Sequence, residues 1–193
     1  MKLNELANKI KGLSAEVVAA NKERLQIIAS NEMEFLLKKR VFAEGKDSSG
    51  SKIGSYSTKE IYVNPNKISS LIPKSGLKIS GKFNKSSKFK NGNPRKTAYL
   101  GGGYKEFKEK ANFDSNIYNL TLTGTSKDSI KIGKKGNDIV LGFSDEGRRK
   151  ILEGHEERLN KEIFKPTKDE LKSVRKIVKD ELKVIVKETI GKW

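Results

Sequence analysis

No cysteine occurs in this chain. Disulfides, thiolate metal sites and cysteine nucleophiles are thereby removed together, and cysteine usage says nothing about the redox compartment. Histidine is almost as scarce: His155 stands alone, within Glu153-Gly154-His155-Glu156-Glu157. A zinc-protease helix needs a second histidine four positions on, so that both ligands share one face. Position 159 is Leu, and Gly154 points to a loop, so His155 reads as a polar loop residue. No apolar run approaches the roughly 18–20 residues that span a bilayer. The amino-terminal stretch Met1-Lys2-Leu3-Asn4-Glu5-Leu6 has no apolar signal segment, so a soluble product made in a cytoplasm is expected.

Glycine-rich and acidic motifs are present, but at the wrong spacing for chemistry. Gly101-Gly102-Gly103-Tyr104-Lys105 and Gly124-Thr125-Ser126-Lys127-Asp128-Ser129 both lack the phosphate-loop pattern, in which backbone amides and a lysine surround the phosphates. They read as a hinge and a strand-to-helix turn. Asp47-Ser48-Ser49-Gly50 resembles the start of a calcium loop, yet the twelfth position is Thr58 rather than a bidentate glutamate. The remaining acids, such as Glu156, Glu157, Asp169 and Asp180, sit among basic residues, and no carboxylate pair stands out for acid–base work. No catalytic residue, metal site or cofactor site is expected, and the chain reads as a non-enzyme.

What the chain has in excess is positive charge. Lys and Arg total 41 against 24 Asp and Glu, a net charge of +17. Such a field attracts polyanions: nucleic acid, an anionic membrane surface or an acidic protein. Hydrophobic residues make up 34%, no more than charged ones, so part of the burial is expected to come from neighbouring subunits.

Leu3, Leu6, Ala7 and Ile10 recur at helical spacing before Gly12. Ser14 is a candidate N-cap for a long helix reaching 41–44, with Val17, Val18, Leu25, Ile28, Phe35 and Leu36 along its apolar face. Residues 45–54 are turn-rich, and 56–63 read as a short extended piece closed by Asn64-Pro65-Asn66. Residues 104–111 suit one or two helical turns. Strands are expected at 119–123, 130–133 and 138–143, the last two joined by the hairpin signal Lys134-Lys135-Gly136-Asn137. Ser144 or Asp145 caps a short helix to about Leu152, ended by Gly154. Thr167 and Glu170 form a capping box for a last helix. Its Leu171, Val174, Val178, Leu182 and Ile185 are expected to pack on the sheet. The fold class is therefore α+β: a small antiparallel sheet flanked by a long N-terminal and a C-terminal helix, in a single domain.

Residues 66–103 stand apart, because no acid lies between Glu60 and Glu106. Lys67, Lys74, Lys78, Lys82, Lys85, Lys88, Lys90, Arg95 and Lys96 are spread through it, with Phe83 and Phe89 among them. Leu77, Ile79, Phe83 and Phe89 are too sparse for a core element. The segment is expected to be an extended basic arm or hairpin, ordered by a partner. On that basis the core is 14–63 and 113–190, and 64–112 is an insertion. Composition leaves three uses open: phosphate contacts with base stacking on Phe83, Phe89 and Tyr99, docking on an acidic protein, or a solvated loop.

Several pieces, taken in order, resemble the virion-morphogenesis and tail-completion proteins of tailed bacteriophages. A long helix runs into Phe42-Ala43-Glu44-Gly45-Lys46-Asp47-Ser48-Ser49-Gly50-Ser51-Lys52-Ile53-Gly54, which is similar to the family's Asp-x-x-Gly turn, and then into Tyr56-Ser57-Thr58. Leu122-Thr123-Gly124-Thr125-Ser126-Lys127-Asp128-Ser129-Ile130 looks like its Leu-x-x-Thr-Gly element, with Ser126 in an apolar place. The hairpin 130–143 follows, with Ile-Val-Leu-Gly at 139–142. Ile151-Leu152-Glu153-Gly154-His155-Glu156-Glu157-Arg158 and then Glu162-Ile163-Phe164-Lys165-Pro166-Thr167 resemble the loop before the family's final helix. There Lys161-Glu162-Ile163-Phe164 replaces Arg-Pro, and Phe164 carries over as a buried anchor. The resemblance covers 15–58 and 119–187. It implies a non-enzymatic ring subunit of the neck or head–tail connector, of tail-completion or terminator type. Its partners would be its own copies, adjacent portal, neck or tail proteins, and DNA in the channel, with no membrane. Such a protein is made in the host bacterial cytoplasm and ends in the virion. Fold analogy carries no chemistry by itself. The alternative is a non-specific nucleic-acid-binding protein that uses the basic arm.

Overall fold

The computed structural model describes residues 15–68, 70–72, 79–80, 97–120, 125–136 and 138–190. Within them the fold is α+β, with two antiparallel sheets and a long helix toward each end. The expected amino-terminal segment with its Ser14 cap, and the Leu122-Thr123-Gly124 piece, lie outside the described residues. No described helix is long and apolar enough to cross a membrane.

Residues 15–20 are helical, and after a turn at Asn21 helix α1 runs over Lys22–Lys38. It passes directly into a π-helical turn, Lys39–Ala43, closed by the Glu44 amide donating to the Lys39 carbonyl at 3.0 Å. Arg40, Val41 and Phe42 are all buried there. Three consecutive buried side chains mean that the chain is covered on every side at this point, which a one-faced amphipathic helix would not require.

The hairpin has the expected turn: β4 (Ile130–Lys135) pairs antiparallel with β5 (Asp138–Phe143), in register from Ile130↔Phe143 to Lys135↔Asp138. Gly136, at φ +61°, supplies the left-handed residue that a two-residue hairpin turn demands. The hairpin lies against α1. Leu37, Val41, Phe42, Ile53, Ile130 and Ile163 form one buried cluster beneath them. Ion pairs Lys22–Asp138 and Lys134–Glu23 edge that contact, but both are solvated and add little.

A second cluster was not expected. β1 (Ile61–Val63), β2 (Ile79–Ser80) and β3 (Thr97–Leu100) make a three-stranded antiparallel sheet with β3 in the centre. Short helices α2 (Pro65–Ile68) and α3 (Gly103–Lys110) accompany it. Ile72, Ala98, Leu100, Phe107 and Ala111 are buried together. Residues 64–112 are therefore not an extended insertion throughout, since 97–111 supplies a central strand and a packed helix. The physical reason lies in spacing. Ala98 and Leu100 alternate over only four residues between Lys96 and Gly101, too short a run to signal a strand. Of the arm residues, Lys67 lies on α2, while Lys74, Lys78, Lys82, Phe83, Lys85, Lys88, Phe89, Lys90, Arg95 and Lys96 lie outside the described residues.

Three further expectations are corrected. Residues 119–120 form no strand, and Leu120 sits at φ +54°. A single helical turn, α4 (Thr125–Asp128), precedes the hairpin instead. Helix α5 spans Glu146–Leu159 and runs straight through Gly154. Asp145 caps its start by accepting from the Arg148 amide, and Asn160 in the left-handed conformation ends it. One glycine costs a helix about 1 kcal/mol, which the rest of a 14-residue helix outweighs. Helix α6, Lys168–Ile190, packs chiefly on α1 rather than on the sheet. Its capping box is as expected: Glu170 N–H donates to Thr167 Oγ1 at 3.0 Å, and Thr167 N–H donates to Glu170 Oε2 at 2.7 Å.

The other oxygen of Glu170 reaches the π turn, where Arg40 Nε donates to Oε1 at 2.7 Å. Arg40 also donates to the carbonyls of Lys46 (3.1 Å), Ile163 (2.9 Å) and Lys165 (3.1 Å). Both charges are buried, at 9% and 8% side-chain exposure. Breaking such a pair from one side strands a charge and costs about 3–5 kcal/mol, whereas replacing both members with packed apolar groups is often neutral. Arg40→Met should therefore lower the unfolding free energy by about 3–5 kcal/mol in urea. Arg40→Met/Glu170→Leu should recover most of that loss. Equal losses from the single and double variants would show that the cost lies in the carbonyl contacts instead.

Candidate functional site

The deepest concavity formed by described residues lies where the two clusters meet, a cleft of about 510 Å³. Its walls come from three places in the chain. The extended segment after the 45–54 loop contributes Ser55, Tyr56 and Ser57. Helix α3 and the loop after it contribute Tyr104, Tyr118 and Leu120, and the last turn of α5 brings His155, Arg158 and Leu159.

Two glycines allow these pieces to approach. Gly103 has φ +69°, and a Cβ there would lie 2.3 Å from the Lys59 carbonyl oxygen and 2.6 Å from that of Ser57. Its bareness lets α3 begin against the Ser57–Lys59 backbone, with the Lys105 amide donating to Ser57 O at 3.1 Å. Gly45, at φ +63°, similarly leaves room for Ile117, whose Cγ2 would meet a Cβ at 2.6 Å. The Gly101–Gly103 run is thus a close-approach feature that starts a helix.

The walls are mutually braced. Tyr56 is 4.7 Å from Tyr118 and 5.5 Å from Tyr104 between ring centroids, both tilted. Tyr56 Oη donates to Asn119 Oδ1 at 3.0 Å, and the Asn119 amide donates back at 3.3 Å. Burial raises the Tyr56 phenol to about 12 and also raises that of Tyr104, so both stay protonated and uncharged. Beneath this layer the Lys108 ammonium, buried, lies 5.1 Å from the Tyr56 ring centroid and 4.9 Å from that of Phe113. Burial lowers its pKa, which the nearby Asp114 partly opposes.

At the rim, Arg158 donates to Tyr118 Oη at 3.0 Å and stands 2.6 Å from His155 Nδ1. A guanidinium has only donors, so Nδ1 must accept and a neutral ring carries its proton on Nε2. Burial and then the Arg158 charge hold His155 below its ordinary 6.5, in agreement with that tautomer. The histidine read as a loop residue is therefore half-buried on a helix, placed against a tyrosine edge 6.5 Å away. With Nδ1 occupied, that nitrogen is not open for proton transfer. No carboxylate lines the cleft. Chemically it offers aromatic faces, two serine hydroxyls and spare guanidinium donors: a socket for a planar or apolar group that carries an acceptor.

The other sequence candidates are placed as follows. Asp47 is buried, and its carboxylate accepts from the amides of Ser49 and Ser51 and from Ser49 Oγ, with Lys161 at 3.2 Å. Burial pushes its pKa up, but those donors outweigh it and hold it low. It is a structural turn that also ties Ser48 to Glu162 O. Among the described residues no group of three or more potential metal ligands comes together. Phe164 is partly buried edge-on to Phe143 at 5.6 Å, and the fully buried neighbour is Ile163. Phe164 thus props the hairpin, while Ile163 fills the core.

No protein-family model matches this chain, and no curated protein or solved structure proved similar to it. The site must therefore be judged on its own geometry. The tyrosines gave no sequence signal, because Tyr56, Tyr104 and Tyr118 are separated by 48 and 14 positions with no shared motif. Only the odd Gly101–Gly103 run marked the junction.

His155 predicts a pH dependence. A histidine held below 6.5 when folded binds its proton more readily in the unfolded chain. Stability is then full above the unfolded value and falls as pH drops through the folded one. Urea unfolding compared at about pH 8 and about pH 5 should show that loss, and His155→Gln should reduce it. An unchanged slope in the variant would assign the acid sensitivity elsewhere.

Proposed function

We propose that this chain is a non-enzymatic structural protein of a tailed bacteriophage. In this reading it is a ring-forming subunit of the neck or head–tail connector, of tail-completion or terminator type, made in the host bacterial cytoplasm and carried in the virion. The observation that supports the reading best is the distribution of uncovered apolar side chains. Phe35 on α1 is 61% exposed, Ile151 on α5 50% and Val184 on α6 44%. A monomer scatters a few such residues without consequence. Here they lie on three helices around two small cores, in a chain with little apolar material to spare. Subunits of a closed ring obtain that missing burial from neighbours, each using two different faces.

Two further features agree with it. The α+β frame of hairpin, long helix and capped last helix is the frame that the family resemblance implies. Phe35 stands beside Lys38, Lys39 and Lys127 around a shallow recess, an apolar anchor rimmed by cations that suits a partner surface of opposite charge. Adjacent portal, neck or tail proteins are the partners in this reading. The alternative, nucleic-acid binding through the basic arm, depends on residues most of which lie outside those described.

The test is the mass in solution by size-exclusion chromatography with light scattering, at physiological and high salt. A discrete ring, alone or on mixing with portal or tail proteins, is the expected result. A monomer indifferent to every such partner would sink the reading. Phe35→Asp should weaken assembly by more than tenfold, while its own stability moves by less than about 0.5 kcal/mol, since the ring is mostly in solvent.

A further inference from the structure

Helix α6 carries a charge pattern that the ring reading does not use. Lys168, Lys172, Lys176, Lys179, Lys183 and Lys187 follow one another at steps of four, four, three, four and four residues, and all six are exposed. At 100° per residue they fall within about 100° of arc, and at 1.5 Å per residue they form a line of about 28 Å. Arg175, also exposed, flanks the line. The opposite side of the helix is occupied by its packing: Ile185 and Glu170 are buried, and Val174, Val178 and Leu182 are half-buried.

Ordinary solvated helix faces interleave signs, because opposite charges three or four apart attract and like charges repel. Helix α5 follows that rule, with Arg149 paired to Glu146 and Glu153, and Lys150 to Glu146. The α6 line does not. Lys183 has Asp180 at 2.7 Å, and the other five have no ion-pair partner among the described residues. Asp180 reports the local field: its pKa is lowered by the Lys183 hydrogen bond and charge, then by Lys176 and Lys179.

We propose that this face of α6 is a contact rail for the phosphate backbone of duplex DNA, read without regard to sequence. Cations about 5–6 Å apart along a straight rod can meet successive phosphates, and each contact releases condensed counterions. The chemistry favours DNA over a protein partner, since interface cores are depleted in lysine and enriched in aromatics, and this line holds no aromatic. Lysine is a point charge without the forked geometry that reads guanine, so no base specificity is expected. The rail is independent of the ring reading and uses a different surface from Phe35.

The experiment is anisotropy of a labelled random-sequence duplex with the full-length chain, titrated from about 50 to about 200 mM salt. Six phosphate contacts give a log–log salt slope of about −5, which is about a 10³-fold loss of affinity over that range. Lys172→Gln/Lys176→Gln/Lys179→Gln should make the slope shallower by about 2.7 and shrink that loss to about 40-fold. Circular dichroism should show unchanged helix content in the triple variant. The matched control is Lys85→Gln/Lys88→Gln/Lys90→Gln. If the control removes the salt dependence and the α6 variant does not, the rail is overturned. Equal wild-type and α6-variant curves overturn it too, as does a wild-type chain that binds anionic vesicles but no duplex. Because the readout is binding, failure of the rail leaves the mass measurement, and the ring reading with it, untouched.

Discussion

The Arg40–Glu170 pair is the point at which four separate stretches of chain become one structure. Its guanidinium reaches a helix-capping carboxylate and three carbonyls, from Lys46, Ile163 and Lys165. The π turn, the 45–54 loop, the segment before α6 and the first turn of α6 therefore share a single side chain. Buried backbone carbonyls need donors, and these stretches have few regular ladders of their own. A planar five-donor group suits that geometry better than a lysine would. Around it the Asp47 turn adds Lys161 and the Ser48 contacts with Glu162, so the join is polar in composition although buried in place.

Two small cores follow from this arrangement. The first lies under the hairpin and is closed by Ile163 and Phe164, the residues beside the arginine's carbonyl partners. The second belongs to the three-stranded sheet and α3. Between them the chain places tyrosines rather than aliphatic residues. Tyrosine suits a seam, since its ring packs while its hydroxyl meets polar backbone or solvent. Tyr56 shows both habits, with Tyr104 and Tyr118 on its faces and Asn119 on its oxygen. The seam is thus a cleft by construction.

Legibility in the sequence tracked how local each signal was. The long helix, the Gly136 hairpin turn and the Thr167–Glu170 box were readable because their determinants lie within a few residues. The three-stranded sheet was not, because Thr97–Leu100 is short and its partners are 18 to 36 positions away in sequence. Gly154 misled for the opposite reason: a local breaker was overridden by Leu152 packing beneath the helix and by the Asp145 cap. Of the cleft, only the glycine run was visible, since three tyrosines brought together by tertiary packing leave no spacing rule. The buried role of Glu170 was hidden by its other role, as a capping glutamate is ordinarily a surface residue.

The π turn sets the angular phase of the molecule. Its wider loop takes up one residue more than α-helical winding would, and so fixes the direction in which Arg40 leaves the α1 axis relative to the hairpin that α1 supports. Losing a single residue between 39 and 43 would restore regular winding, but would rotate all that follows by about 100°. The guanidinium would then face away from its carboxylate. In most helices length is forgiving at the end. Here the end is a clutch that engages at one setting, so this short segment tolerates exchange of residues far better than a change in their number.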